Sequence, residues 1–185
     1  MGVSATAFAC DEAAATPKTS YSVEFENSIL DGAMRLSEET TIEGDRIITV
    51  TTYRAKDGMI VTDTLDRSAV VAHSKNGSNT IARTLDLDRY GAITIRASFR
   101  WYTDEDAGIM GIGYVKCTRM TASWSAPTGY TCDVWETDYE DEYQSFGKAW
   151  AQVKYKIYET SAPIYEVKGT FKITCSDTGD ISDNG

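Results

Sequence analysis

The residues of this chain that could do chemistry are its clustered carboxylates, its lone histidine and its four tryptophans. Asp104, Glu105 and Asp106 form one acidic group, and Glu136, Asp138, Glu140, Asp141 and Glu142 form another. Two carboxylates a few ångströms apart would suit glycoside hydrolysis, one as acid and one as base or nucleophile. Glu136 and Asp138 are the pair to which that reading points. Converging carboxylate oxygens would also suit calcium, but neither loop has the spacing of an ordered calcium loop. The segment Asp177-Thr-Gly-Asp-Ile-Ser-Asp-Asn-Gly185 lacks it too. Solvated acidic loops are the plainer reading. His73 stands beside Ser74 and the Asn76-Gly77 pair. Neighbouring side chains on a strand point apart, so His73 and Ser74 make no nucleophile–base pair and no catalytic residue is assigned. A single His excludes His-rich zinc sites, and the cysteine spacing fits no zinc finger, so neither metal nor cofactor is expected.

The tryptophans offer a binding chemistry instead. Aromatic rings supply large contact area at small entropic cost. Trp101 shares the parity of Ile95 and Phe99 and belongs in the core. Trp150 shares the polar parity of Gln152 and Lys154 and should reach the surface. Trp135 and Tyr139 stand among acidic residues near a strand end. The expected ligand platform is therefore Trp135, Tyr139, Tyr143 and Trp150, facing a glycan or a protein at the cell surface.

These residues must be positioned by strands. In Ala92–Tyr102, Ile93, Ile95, Ala97, Phe99 and Trp101 alternate with Thr94, Arg96, Ser98, Arg100 and Tyr102. Side chains alternate across a strand with period two, so one face is built for burial and the other for water. The pattern recurs along most of the chain. Further strands are expected at 33–42, 46–54, 59–72, 80–87, 109–125, 130–137, 148–159 and 166–175. Glu43-Gly44-Asp45, Lys56-Asp57-Gly58 and Asn76-Gly77 read as hairpin turns, where Gly supplies positive φ. Nine or ten such strands predict an all-β, antiparallel, meandering two-sheet sandwich, with a β-barrel as the alternative.

A chain of 185 residues, 42% hydrophobic, is enough for one core, so a single domain over 20–176 is expected, followed by a polar tail at 177–185. The formal net charge of −10 argues against nucleic acid and anionic membranes as main partners. No stretch approaches the ~20 apolar residues of a membrane span. Residues 1–19 read as the remnant of a signal peptide and a flexible leader, because Ala7-Phe-Ala9 matches an A-x-A cleavage pattern. On a lipoprotein reading Cys10 would be lipidated, although Ala7 replaces the usual Leu three positions before it. Export makes disulfides among Cys10, Cys117, Cys132 and Cys175 reasonable. If Thr128-Gly129 closes a hairpin, Cys117 lies about 27 Å along the strand from the position facing Cys132, beyond disulfide reach. Cys175 shares the face of Phe171 and Ile173. The expected bond is Cys117–Cys175, worth roughly 4 kcal/mol in loop entropy, with Cys132 free or joined to Cys10.

Ile93–Tyr102, the following Cys117, Lys148-Ala-Trp-Ala-Gln-Val-Lys-Tyr155 and Gly169-Thr-Phe-Lys-Ile-Thr-Cys-Ser-Asp-Thr-Gly-Asp-Ile-Ser182 together resemble small exported β-sandwich proteins of unknown function from Gram-positive bacteria. The resemblance covers about half of the chain. It implies an extracellular sandwich, agrees with the Cys117–Cys175 pairing and supplies no activity. The expectation is thus a secreted or cell-envelope binding protein without catalytic activity. A glycan-acting hydrolase and a passive structural protein are the alternatives.

Overall fold

The structure is a computed structural model that describes residue 30 and residues 32–69, 75–106, 111–161, 165–177 and 181–182. The leader with Cys10, the residue His73 and most of the tail lie outside the described residues.

The alternating pattern builds two layers. β1 (Met34–Glu43), β2 (Arg46–Arg54), β3 (Ile60–Ser68), β4 (Asn76–Asp86), β5 (Ala92–Asp104) and β6 (Ile112–Ser125) run as a meander of antiparallel neighbours. Beyond β6, the two-residue β8 (Gln144–Ser145) makes a seventh strand. β7 (Tyr130–Tyr139), β9 (Lys148–Glu159), β10 (Tyr165–Ser176) and the two-residue β11 (Ile181–Ser182) form the second sheet, in the order β11-β10-β9-β7. The protein is a two-sheet β-sandwich. The chain crosses back between the sheets at Glu140, whose carbonyl accepts from the Cys117 N–H on β6 at 2.7 Å while its own N–H donates to the Trp150 carbonyl on β9 at 2.9 Å.

Between the layers lies the core. Ile93, Ile95, Ala97, Phe99 and Trp101 of β5 are buried, as their parity predicts. Tyr155 and Ile157 of β9 and Phe171 and Ile173 of β10 are buried in the same cluster. Each large apolar side chain contributes about 1.5–3 kcal/mol by leaving water. One charged pair sits in this core. Arg83 Nε and Nη2 donate to the two oxygens of Asp63 at 3.0 and 2.7 Å, and Nη1 donates to the Lys172 carbonyl at 2.7 Å. The guanidinium thereby ties β3 and β4 to β10 across the layers.

Three expectations need correction. Asn76-Gly77 is not a turn: it opens β4, with Asn76 opposite Tyr102 and Gly77 opposite Trp101. The β6–β7 connection is not a hairpin within one sheet. Pro127 to Tyr130 form a β-turn closed by the Tyr130 N–H on the Pro127 carbonyl (3.1 Å), with Gly129 at φ 95°, and the turn carries the chain into the second sheet. The spacing argument built on that hairpin therefore fails. Finally, the Cys117–Cys175 bond is not formed. Cys117, Cys132 and Cys175 are buried free thiols. Cys117 Sγ donates to the Arg119 carbonyl at 3.3 Å and Cys175 Sγ to the Ser176 carbonyl at 3.5 Å, so each is turned to a backbone oxygen near it in its own strand.

Candidate functional site

The feature that builds the site is a bulge. β5 and β6 pair in simple register up to Phe99 opposite Cys117, after which Ser98 faces Arg119. Thr118 is the extra residue, and its hydroxyl donates to the Ser98 carbonyl at 3.0 Å. Two residues of one strand facing one of the other reverses the parity of everything beyond. Val115 and Cys117 face the core before the bulge, with Met120 and Ala122 packed against it beyond. Tyr114, Lys116 and Arg119 consequently share the outer face, although the last two are three residues apart.

Tyr102 of β5 lies directly opposite Tyr114 of β6 on that face. Their rings stack, with centroids 5.0 Å apart and an interplanar angle of 17°. Tyr143, in the connection leading to β8, meets Tyr102 edge-on at 5.0 Å and 83°. Lys116 Nζ stands 4.5 Å from the centroid of the Tyr143 ring, close enough for the ring quadrupole to hold an ammonium. Arg100 is exposed opposite Lys116. Beside this cluster a shallow hollow of about 470 Å³ is lined by Asn76, Gly77, Ser78, Arg100, Trp101 and Tyr102. Partial burial, then the Tyr114 and Tyr143 phenols and the Asp104 carboxylate, raise the Tyr102 phenol above its ordinary value. Tyr102 is thus a neutral hydroxyl at physiological pH.

Such an arrangement can hold a ligand with one apolar and one polar edge. The tyrosines present carbon-rich surface, Arg100, Asn76 and Ser78 line the hollow with polar groups, and Lys116 stands beside them over the Tyr143 ring.

No protein-family model, curated protein or solved structure matches this chain.

Of the four expected platform residues, only Tyr143 belongs to this cluster. Trp150 lies on the outer face of the second sheet, opposite Thr174, with Lys172 Nζ 5.5 Å from its ring. Tyr139 ends β7 opposite Ala151 and is partly exposed at the sheet margin. Trp135 is the extra residue of a bulge between Val134 and Glu136, and its side chain lies outside what is described. Tyr143 and Trp150 are therefore on opposite outer faces and share no platform. Sequence reasoning missed Tyr102, Tyr114, Arg100 and Lys116 as a group. Their outward parity was legible within each strand, but bringing them together requires the β5–β6 register.

Glu136 and Asp138, the carboxylates of the hydrolase reading, are engaged elsewhere. Glu136 pairs with Lys154 at 2.8 Å and Asp133 with Lys156 at 3.0 Å on the outer face of the second sheet. Asp138 accepts the Tyr139 N–H at 2.9 Å. Among the described residues no group of His, Cys, Asp and Glu converges as metal ligands would, and no helix is long and apolar enough to cross a membrane.

Proposed function

We propose that this chain is an exported or cell-envelope binding protein, without catalytic activity, that holds a glycan against the outer face of its seven-stranded sheet. The observation that carries the reading is the Tyr102–Tyr114–Tyr143 cluster beside the Arg100 hollow. The core lies on the other side of β5 and makes no use of these rings. Stacked phenols with cations at their rim suit the flat apolar face and the hydroxyl edge of a sugar ring. Export is supported by the Ala7-Phe-Ala9 pattern and by the resemblance of the C-terminal half to small exported sandwiches. The hydrolase reading is weaker, because Glu136 is ion-paired to Lys154 on an open sheet face.

The test is an oligosaccharide-array screen followed by titration calorimetry on the best ligand, with wild type, Tyr102→Ala and Tyr114→Ala. Each substitution should weaken binding about tenfold or more, in the range of aromatic anchors at interfaces. Trp150→Ala, on the other sheet, should leave affinity unchanged. Equal loss in all three variants would reject the site, and the absence of any glycan ligand would reject the function.

A further inference from the structure

Resting on that binding reading, we propose that the ligand is an acidic polysaccharide whose sugars carry carboxylates, laid along β5 and β6. The chain carries 28 acidic against 18 basic residues, yet four cations gather on one face of these two strands. By the β5–β6 register Arg100 stands opposite Lys116, Arg119 opposite Ser98, and Arg96 opposite Thr121. Arg96, Arg100 and Arg119 are exposed. Among the described residues none of the four has an ion-pair partner, as is also true of Arg54, Lys56, Lys168 and Lys172; the other opposed pair of cations, Lys156 and Lys168 on β9 and β10, differs in having the Asp133 carboxylate paired to Lys156. Like charges directly opposite in a sheet are destabilising. The bulge at Thr118 adds to this cost, since without it Lys116 and Arg119 would point to opposite faces. A bound anion removes the repulsion.

Size and chemistry narrow the anion. From Tyr102 to Arg96 the stripe runs about 20 Å at the rise of an extended strand, longer than a single sugar ring. Three of the four cations are Arg, whose planar fork matches a carboxylate in two parallel hydrogen bonds. Hydroxyls flank the stripe: Thr80 and Ser98 are bonded at 2.8 Å, and Thr84 and Thr94 at 2.9 Å. Asp86 and Asp104 stand at opposite ends of this stretch of sheet, at the limits of β4 and β5. Four cations and rows of hydroxyls fit one charge per sugar among many hydroxyls. A single-stranded nucleic acid also carries one charge per repeat and meets the same −10 field, so the feature that favours the polysaccharide is the rows of hydroxyls along the stripe, which match sugar hydroxyls.

The experiment uses the full chain with three probes: polygalacturonate, the same polymer fully methyl-esterified, and oligothymidylate. Wild type should bind polygalacturonate with an affinity that falls as salt rises, and should bind the ester at least tenfold more weakly. Neutralising an exposed cation should weaken polygalacturonate binding about threefold, and Arg96→Gln, Arg100→Gln and Arg119→Gln together about thirtyfold. The corresponding triple Lys variant, which keeps the charge and loses the fork, should bind with an affinity between those of wild type and the triple Gln variant. Circular dichroism should be unchanged in both; the melting temperature should be unchanged in the Lys variant and should rise in the Gln variant, which loses the repulsion. Equal binding of the acid and the ester overturns the acidic class and leaves the glycan reading standing. Tighter binding of oligothymidylate overturns it in favour of nucleic acid. Failure of both polymers, together with an empty oligosaccharide screen, overturns both readings.

Discussion

Arg83 and Asp63 are 2% and 5% exposed, so almost all of their hydration has been given up. Three hydrogen bonds replace it, two within the pair and one to the Lys172 carbonyl. The Arg83 guanidinium also lies 5.0 Å from the Phe171 ring centroid. Removing one partner of a buried pair leaves a charge with nothing to balance it, which costs about 3–5 kcal/mol. Arg83→Met should therefore lower the urea-unfolding free energy by roughly that amount. Arg83→Met with Asp63→Leu should recover most of the loss, because an apolar pair of similar volume suits the same space. If the double variant is as unstable as the single, the pair contributes net stability through its geometry. At this scale the site was only partly legible. Tyr143 was recognised as a surface aromatic, whereas Tyr102 and Tyr114 were visible only as polar-parity members of their own strands. Parity tells which face a residue takes and says nothing of which residue on the next strand stands opposite.

Strand identity was the most legible property of the chain. β9 spans Lys148–Glu159 as its alternation predicts, and β5 and β7 begin where expected, at Ala92 and Tyr130. What alternation could not supply was the sheet to which a strand belongs. Pro127, Thr128 and Gly129 form a turn whether the chain stays in its sheet or leaves it, so β7 was assigned to the wrong partner and the cysteine argument failed with it. A second junction shows what such a turn demands. After the short 3₁₀ turn Asp88–Tyr90, Gly91 has φ 99° and ψ −164°, a region that is essentially glycine-only. Its carbonyl accepts the Leu87 N–H at 2.8 Å, and a Cβ there would collide with the Ser125 carbonyl at the end of β6. Gly91→Ala should destabilise the protein by on the order of 3 kcal/mol, combining backbone strain with that collision. Gly44→Ala is the control. Gly44 has φ 63° in the β1–β2 turn and open space around it, so its cost should be about 1 kcal/mol. Chemical denaturation of the two variants checks both values, and equal losses would mean that the Ser125 contact carries no weight.

At the scale of the whole molecule, three groups with raised ionisations make stability depend on pH in the alkaline range. Burial raises the Cys117 thiol, and burial followed by the neighbouring Asp133 carboxylate pushes Cys132 up to about 11. Tyr102 is raised too, by partial burial and by its phenolic and carboxylate neighbours. All three lose a proton to become anions, and all three hold that proton more tightly folded than unfolded. The unfolded chain therefore ionises first as pH rises and is stabilised relative to the native state. The contribution is fully present below the ordinary thiol value near 9 and is lost as pH climbs through the native value of Cys132, about 11. Urea unfolding under reducing conditions should give the same free energy at pH 7 and 8, and a fall on the order of 1–2 kcal/mol by pH 11 from Cys132 alone. Cys132→Ala will lower stability at every pH by opening space in the core, but its curve should be flatter than that of wild type between pH 9 and 11. Parallel curves would show that Cys132 ionises in the folded protein as readily as in the unfolded chain. The same variant should leave polygalacturonate binding untouched, since Cys132 is buried on β7 of the second sheet and the cationic stripe is on the outer face of the first.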